Sequence, residues 1–328
     1  MNACNTSLRR FRGEPDVDLL FLPMTCKLGN PDENTTFRTM ESKMTRFQPL
    51  GWKSYELIDS GNGEKLERFG DVILIRPEVT AIWPKGLPQS EWKSSAHAKF
   101  EQTDARTGKW KQYKNIPTTW NIGYSMKKGT LRFNLKLTTF KHVGIFPEQA
   151  TNWHFIAQQV AKREKGAKIL NLFAYTGGAS LAAKAAGADV THVDSIKQVV
   201  NWTRENMESS KLDGIRWVVD DALTFVQREA KRGNKYHGVI MDPPSYGNAP
   251  GKGKWKLEDQ LNELLSAVSQ IVHHDSFLVL NTYSGLANAT LETLVTHYFK
   301  PKHIECGDLV LQSQTEQYLA TGSCLRAW

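Results

Sequence analysis

The chain has 328 residues, 40% of them hydrophobic and 23% charged, with a formal net charge of +8. This is the composition of a globular protein with apolar material for two domains, and no apolar run reaches the roughly 20 residues of a membrane span. The four cysteines (Cys4, Cys26, Cys306, Cys324) show neither a C-x-x-C pair nor metal-ligand spacing, so a reduced, cytoplasmic protein with no metal site and no membrane partner is expected.

The positive charge is uneven. Residues 1–150 hold 23 Lys/Arg against 16 Asp/Glu, and residues 151–328 hold 19 against 18. Residues 1–45 are polar and aperiodic, which predicts a weakly structured segment; the short run Asp18–Met24 lacks a signal-peptide layout. Met40 and Met44 leave open where the folded part begins. From 46 to 145 the pattern is β-rich. Ser54–Asp59 alternates, Ser60–Gly63 turns, and Asp71–Arg76 is a second strand stopped by Pro77. Trp110–Tyr113, Trp120–Tyr124 and Leu131–Leu137 are further strands. Between Lys93 and Lys141 lie 11 basic residues and two acids, with Trp92, Trp110, Tyr113, Trp120 and Tyr124 among or beside them. Basic residues interleaved with aromatics suit a nucleic-acid surface, and a smaller, basic, RNA-binding domain over 46–145 is expected. The other reading is a solvated β-face over core tryptophans.

A helix over about Thr151–Lys162 leads into 146–328, where strand and helix alternate. Strands are predicted at 168–173, 189–194, 215–220, 237–242 and 276–282, with helices at about 178–186, 196–210, 221–232, 257–273 and 287–298. That rhythm predicts an α/β fold with a parallel, doubly wound, Rossmann-like sheet. The last two runs, 303–312 and 316–327, have no helix between them and predict a terminal antiparallel hairpin.

Ligands in such sheets sit beyond the carboxyl ends of the strands, where strand order reverses. Four segments fall there. Asn171-Leu-Phe173-Ala-Tyr175-Thr176-Gly177-Gly178 follows the first strand; its glycines allow close backbone approach, and the helix it opens offers free N–H groups. It is not G-x-G-x-x-G, which disfavours a dinucleotide and hence an NAD-linked reductase. Asp194, followed by Ser195, ends the second strand and can accept both ribose hydroxyls of a nucleoside or cap the next helix. Asp220-Asp221-Ala222 ends the third; Asp221 is favoured as the partner of an adenine amine, with a cap as the alternative. Asp242-Pro243-Pro244-Ser245-Tyr246 ends the fourth. Its prolines stiffen the turn, Asp242 and the Pro243 carbonyl can accept from an amine, and Tyr246 can stack on a flipped base. The glycine-rich loop Gly247–Lys256, with Trp255, is either a closing lid or a surface loop.

These motifs resemble those of class I S-adenosylmethionine-dependent methyltransferases, and more closely the bacterial large-subunit ribosomal RNA methyltransferases of the I and K types. The likeness spans about 130–328 and rests on F-x-Y-T-G-G and D-P-P-[aromatic]. It implies an enzyme using S-adenosylmethionine on large-subunit ribosomal RNA. Two departures stand out. Members that methylate carbon 5 of cytosine carry a cysteine near the end of strand five; here that stretch is Leu280–Gly285, without one, and Cys306 and Cys324 are poor substitutes. The target expected is therefore a nitrogen, on guanine. The family's Asp-Gln-Arg reads Glu148-Gln149-Ala150 here, which puts the contact to the methionine carboxylate in question. Methylation of a protein or small-molecule amine, and a non-catalytic RNA-binding assembly factor, are the alternatives. Oligomeric state is not legible.

Overall fold

The computed structural model describes residues 45–104, 107–249 and 253–328. The expected weakly structured segment, with Cys4, Cys26 and all but the last residue of 1–45, lies outside the described residues, as does Arg106. The chain from Lys43 to Trp328 forms one compact unit.

Eight strands make the main sheet. Five run parallel: β9 (Lys168–Leu172), β10 (Asp189–Asp194), β11 (Arg216–Val219), β12 (Tyr236–Met241) and β15 (Val272–Thr282). From β9 the chain steps out to β10 and β11, then crosses back to β12 and β15. The reversal therefore falls between β9 and β12. Beyond β15 come β17 (Tyr318–Ala327) and β16 (Ile304–Gln312), an antiparallel pair, and then β1 (Arg46–Phe47), parallel to β16. The terminal hairpin thus closes the sheet as expected.

Helices cover both faces. On one side lie α2 (Ala150–Ala161), α3 (Gly178–Ala186) and α4 (Lys197–Ser209). On the other lie α5 (Ala222–Lys231), α6 (Leu257–Ser269) and α7 (Asn288–Phe299), whose Phe225, Leu261 and Leu291 are buried against Leu170, Leu172 and Leu280 of the central strands. Strands buried on both faces need apolar residues at successive positions, as Ile169-Leu170 of β9 and Val239-Ile240-Met241 of β12 show.

The β-rich region holds a five-stranded sheet of β2 (Tyr55–Gly61), β3 (Glu64–Phe69), β4 (Val72–Pro77), β5 (Ala98–Gln102) and β6 (Gly108–Gln112), with a short helix α1 (Gln89–Ser95) between β4 and β5. β3, α1 and β5 carry charged residues that hid them from the alternation pattern. A separate hairpin follows, β7 (Trp120–Met126) and β8 (Gly129–Leu135). It docks on α4: the Asn134 amide donates to Asn206 Oδ1 at 2.8 Å, and Trp202 Nε1 donates to the Asn134 carbonyl at 2.7 Å. Tyr55, Phe69 and Leu74 share one apolar cluster with Ile169 and Leu181, so a continuous core runs through 46–145 and the parallel-sheet half.

Most aromatics of the basic stretch are buried, Trp120 and Tyr124 in that core and Trp92 in a small separate cluster with Leu66 and Ile75. Trp92 is 0% exposed, Tyr124 1% and Trp120 9%. Trp110 is half-buried, with its indole N–H on the Thr138 carbonyl. Only Tyr113, of the five, is exposed, together with Lys109, Lys111 and Lys114. The expected interleaved stacking face therefore reduces to one ring among lysines, because the tryptophans supply the core of a small sheet.

Candidate active site

A cavity of about 590 Å³ opens at the carboxyl ends of β9, β10, β11 and β12, and a narrower one of about 50 Å³ adjoins it beneath the turn after β9. Phe173, Tyr175 and Asp242 line both. Side chains of β3 and β4 (Lys65, Arg76) form part of the larger cavity's wall, so both halves of the sequence contribute to it.

The turn after β9 is held tightly. Phe173 and Tyr175 both adopt left-handed backbone, at φ 53° and 46°, a conformation uncommon for bulky side chains and frequent at functional sites. Buried Asn171 donates to Ser180 Oγ at 2.9 Å, which contacts His192 Nδ1 at 3.0 Å. Thr176 donates its hydroxyl to the Gly144 carbonyl at 2.7 Å. Gly177 sits at φ 86°, and a Cβ there would lie 2.1 Å from Thr203 Cγ2. The glycine therefore admits α4 as well as setting the turn, a reason the sequence reading did not anticipate. Asn171 and Thr176 likewise spend their side chains on fixing the turn, while still lining the narrower cavity.

Asp194 accepts from two backbone amides, Tyr175 N–H on Oδ2 and Ile196 N–H on Oδ1, each at 2.9 Å. Burial raises its carboxyl above the ordinary value, and the two amides oppose that rise. Each oxygen keeps acceptor capacity, and Asp194 and Ser195 both face the cavity. Asp221 is the N-cap of α5, taking the Thr224 amide at 2.9 Å and its hydroxyl at 2.6 Å on Oδ1. Asp220 pairs with Arg228. Asp221 and Ala222 nonetheless line the cavity.

Asp242 directly follows β12, in the wall between the two cavities. Its Oδ1 is buried with no hydrogen-bond partner among the described residues. Its Oδ2 accepts from Gln149 Nε2 at 3.4 Å. Burial, with Glu148 nearby, pushes its carboxyl up to about 7. Pro243 is buried, and the Pro244 carbonyl accepts the Trp255 indole N–H at 2.6 Å. Tyr246, expected to hold a base, is 41% exposed and stands outside the residues that line either cavity. It opens a hairpin, β13 (Tyr246–Ala249) and β14 (Gly253–Lys256), that carries its ring away. The ring in the wall is Tyr283, at the end of β15, packed on Phe146 with centroids 5.7 Å apart. Trp255 is 4% exposed and packs on Phe173 at 5.1 Å, so it belongs to the wall and not to a closing lid.

Three further residues of this wall are joined: Glu148 and Gln149, which stand at the family's Asp-Gln-Arg, and Tyr283, which the motifs did not single out. Gln149 donates to Tyr283 Oη at 2.9 Å, and that hydroxyl donates to Glu148 Oε1 at 3.4 Å. Glu148 and Gln149 lie in the turn Pro147–Gln149, a 3₁₀ element that opens α2.

Comparison with known proteins decides what kind of site this is. The family model for S-adenosylmethionine-dependent methyltransferases matches residues 102–281. A methyltransferase of this class from Agrobacterium tumefaciens superposes with a TM-score of 0.79 at 34% identity, covering 86% of this chain and 93% of its own. The chain belongs to the S-adenosylmethionine-dependent methyltransferase family. A Streptococcus mutans protein described as a methyltransferase of this kind shares the fold at TM-score 0.65 and 17% identity, covering 84% of this chain and 75% of its own. Among curated relatives, the ribosomal RNA large subunit methyltransferases K/L of Pseudoalteromonas atlantica and Shewanella frigidimarina are 29% and 27% identical over 56% and 69% of this chain. The methyltransferase spans only 27% and 30% of their lengths.

The residues present fit the cofactor of this family. A 590 Å³ cavity between the turn Phe173–Gly177 and Asp194 accommodates a nucleoside. Asp194 beside it takes one backbone amide on each carboxyl oxygen and keeps acceptor positions for hydroxyl donors. At the position of the family's arginine the methyltransferase has Ala150, 0% exposed. The nearby guanidinium of Arg326 is spent on Asn152 Oδ1 and Thr151 Oγ1, each at 2.9 Å, and does not line either cavity.

Proposed function

We propose that this methyltransferase modifies a nitrogen of a base in ribosomal RNA, with guanine as the target. Two observations of different kind support the reading: the curated relatives are named for ribosomal RNA, and the wall carries a carboxylate and no thiolate. Cys324 is buried behind the wall, donates to Asn152 Oδ1 at 3.3 Å, and is held protonated by burial, with its thiol pushed up to about 11. Cys306 is likewise pushed up to about 12. Activation of a pyrimidine ring at carbon 5 needs a thiolate.

In this reading Asp194, Ser195, the turn Phe173–Gly177, Asp221 and Ala222 would hold the nucleoside part of S-adenosylmethionine. When bound, that group supplies an electrophilic methyl. The chain's own contribution is positional. Asp242, aided by the stiff Pro243-Pro244 turn, accepts an N–H of the incoming nitrogen and turns its lone pair inward. Such alignment is worth roughly 7–11 kcal/mol of a barrier. Phe173, Phe146 and Trp255 keep the wall apolar. The exposed lysines of β6 and its flank, Lys109, Lys111 and Lys114, supply the contact to RNA phosphates.

The single observation that carries the reading is the buried, unpartnered Asp242 Oδ1. It is tested by transfer of a radiolabelled methyl group to total RNA and total protein of a strain lacking the gene, with Asp242→Ala alongside. Label in large ribosomal RNA, lost in the variant, is expected; label in protein overturns it in favour of a protein amine.

A further inference from the structure

The larger cavity has a basic side, and it comes from the β-rich half of the chain. Lys65 of β3, Arg76 of β4 and Lys141, in the segment between β8 and the turn Pro147–Gln149, all line it. Two of these cations are spent within the protein. Arg76 gives Nε and Nη2 to Glu67, at 2.7 and 2.9 Å. Lys65 pairs with Glu78 at 3.1 Å. Lys141 differs. Its ammonium makes one hydrogen bond among the described residues, a long one of 3.5 Å to the Pro77 carbonyl, and no carboxylate of those residues lies within ion-pair reach.

The place of Lys141 is fixed, while its charge is not met. Its carbonyl accepts from Arg76 Nη1 at 3.1 Å, and Thr138 shares its hydroxyl between the carbonyls of Phe140 and His142 on either side, at 3.0 and 2.8 Å. Burial lowers the Lys141 pKa below the ordinary lysine value; Glu78 opposes that, and Lys65 and Arg76 add to it. Against the effect of burial, Arg76 and Lys65 hold Glu67 and Glu78 ionised, below the ordinary carboxylate value. Three cations therefore stand against two carboxylates on this side, and the positive charge left over falls on the least paired of them. Glu148, in the same wall, is pushed toward its neutral form by burial.

A half-buried ammonium without a counter-ion is costly unless the anion arrives from outside. As a compact charge with three donors, it suits the oxygens of a phosphate. We infer that Lys141 seats a phosphate of the target nucleotide, the phosphodiester next to the base that Asp242 holds. Lys109, Lys111 and Lys114, on β6 and its flank, stand outside the cavity lining and meet phosphates farther along the RNA; Lys141 meets one inside the cavity. The site thereby selects a base carried on a nucleotide backbone over a free nucleoside or a protein amine, neither of which brings an anion to this spot. The inference rests on the nucleobase reading above.

The test is binding, apart from turnover. The full chain, saturated with S-adenosylhomocysteine, is titrated with guanosine and with guanosine 5′- and 3′-monophosphates by ligand-observed NMR. One of the two monophosphates should bind about tenfold more tightly than guanosine, the scale of a charge-assisted contact. Lys141→Met, which keeps an unbranched stem and removes the charge, should bring that nucleotide within about twofold of guanosine. Lys141→Arg should keep most of the gain. S-adenosylhomocysteine affinity should be unchanged in both variants. No gain from either phosphate in the wild type, or a full gain in Lys141→Met, overturns the inference and leaves the nucleobase reading standing where guanosine binds. Loss of S-adenosylhomocysteine affinity in Lys141→Met overturns it in favour of a cofactor contact. Failure of the wild type to bind guanosine or either nucleotide overturns the nucleobase reading as well.

Discussion

The backbone amide of Tyr175 donates to Oδ2 of Asp194 at 2.9 Å, tying the turn after β9 to the end of β10. The bond gives Asp194 two duties: it sets the left-handed turn and presents its remaining lone pairs to the cavity. Asp194→Ala should weaken S-adenosylmethionine binding by about tenfold, from loss of about 1.5 kcal/mol in a charge-assisted hydrogen bond. Calorimetry on the purified variant decides it, and an unchanged affinity sinks the ribose assignment.

Gly177 faces Thr203 across the same turn. Gly177→Ala meets both a positive φ of 86° and a Cβ only 2.1 Å from Thr203 Cγ2. A loss of about 1–3 kcal/mol is expected from the backbone strain alone. Adding Thr203→Ser removes the methyl and keeps the hydroxyl that donates to the Tyr175 carbonyl at 2.8 Å. Thermal melts should show the double variant recovering part of the loss, because the clash is relieved and the φ is not.

The raised carboxyl of Asp242 predicts an acid limb in kcat/KM. The nucleophile needs the carboxylate, so activity should fall as pH drops below about 7. Glu148→Gln removes the neighbouring negative charge and should move that limb to lower pH in whatever activity the variant retains. A limb fixed in place would separate the two acids electrostatically.

The same shift bears on stability. A carboxyl raised in the folded state stabilises fully below its ordinary value of 3.8, and that contribution is lost as pH rises through about 7. Asp242→Asn should therefore raise Tm at pH 8, by about 2–4 °C for each kcal/mol recovered, and have little effect at pH 4. An equal change at both pH values would argue against an ionised buried carboxylate.

Charge reversal of Lys109, Lys111 and Lys114 tests the RNA surface. If each meets a phosphate, the slope of log affinity against log salt should flatten by about 2–3. An unaltered slope removes this patch from the RNA contact.

Much of this protein was legible from local pattern. The five parallel strands, their helices and the terminal hairpin follow from apolar periodicity, because a doubly wound sheet buries its strands on both faces and leaves each helix one apolar stripe. The turn Asn171–Gly178, Asp194, Asp220–Ala222 and Asp242 could be placed at one end of the sheet for the same reason. What each side chain does there depended on partners distant in sequence. Gly177 answers to Thr203, the Pro244 carbonyl to Trp255, and Trp110 and Trp120 to a core that joins β2 and β4 to β9. Tyr246 leaves the cavity because a hairpin begins at it, and Tyr283 enters because β15 ends beside the turn Pro147–Gln149. The sequence alone determined which parallel strands form and which of their ends carry acids, since periodicity and turn chemistry are local. Only the tertiary structure decided which of those acids lack donors, because hydrogen-bond satisfaction is a property of packed neighbours.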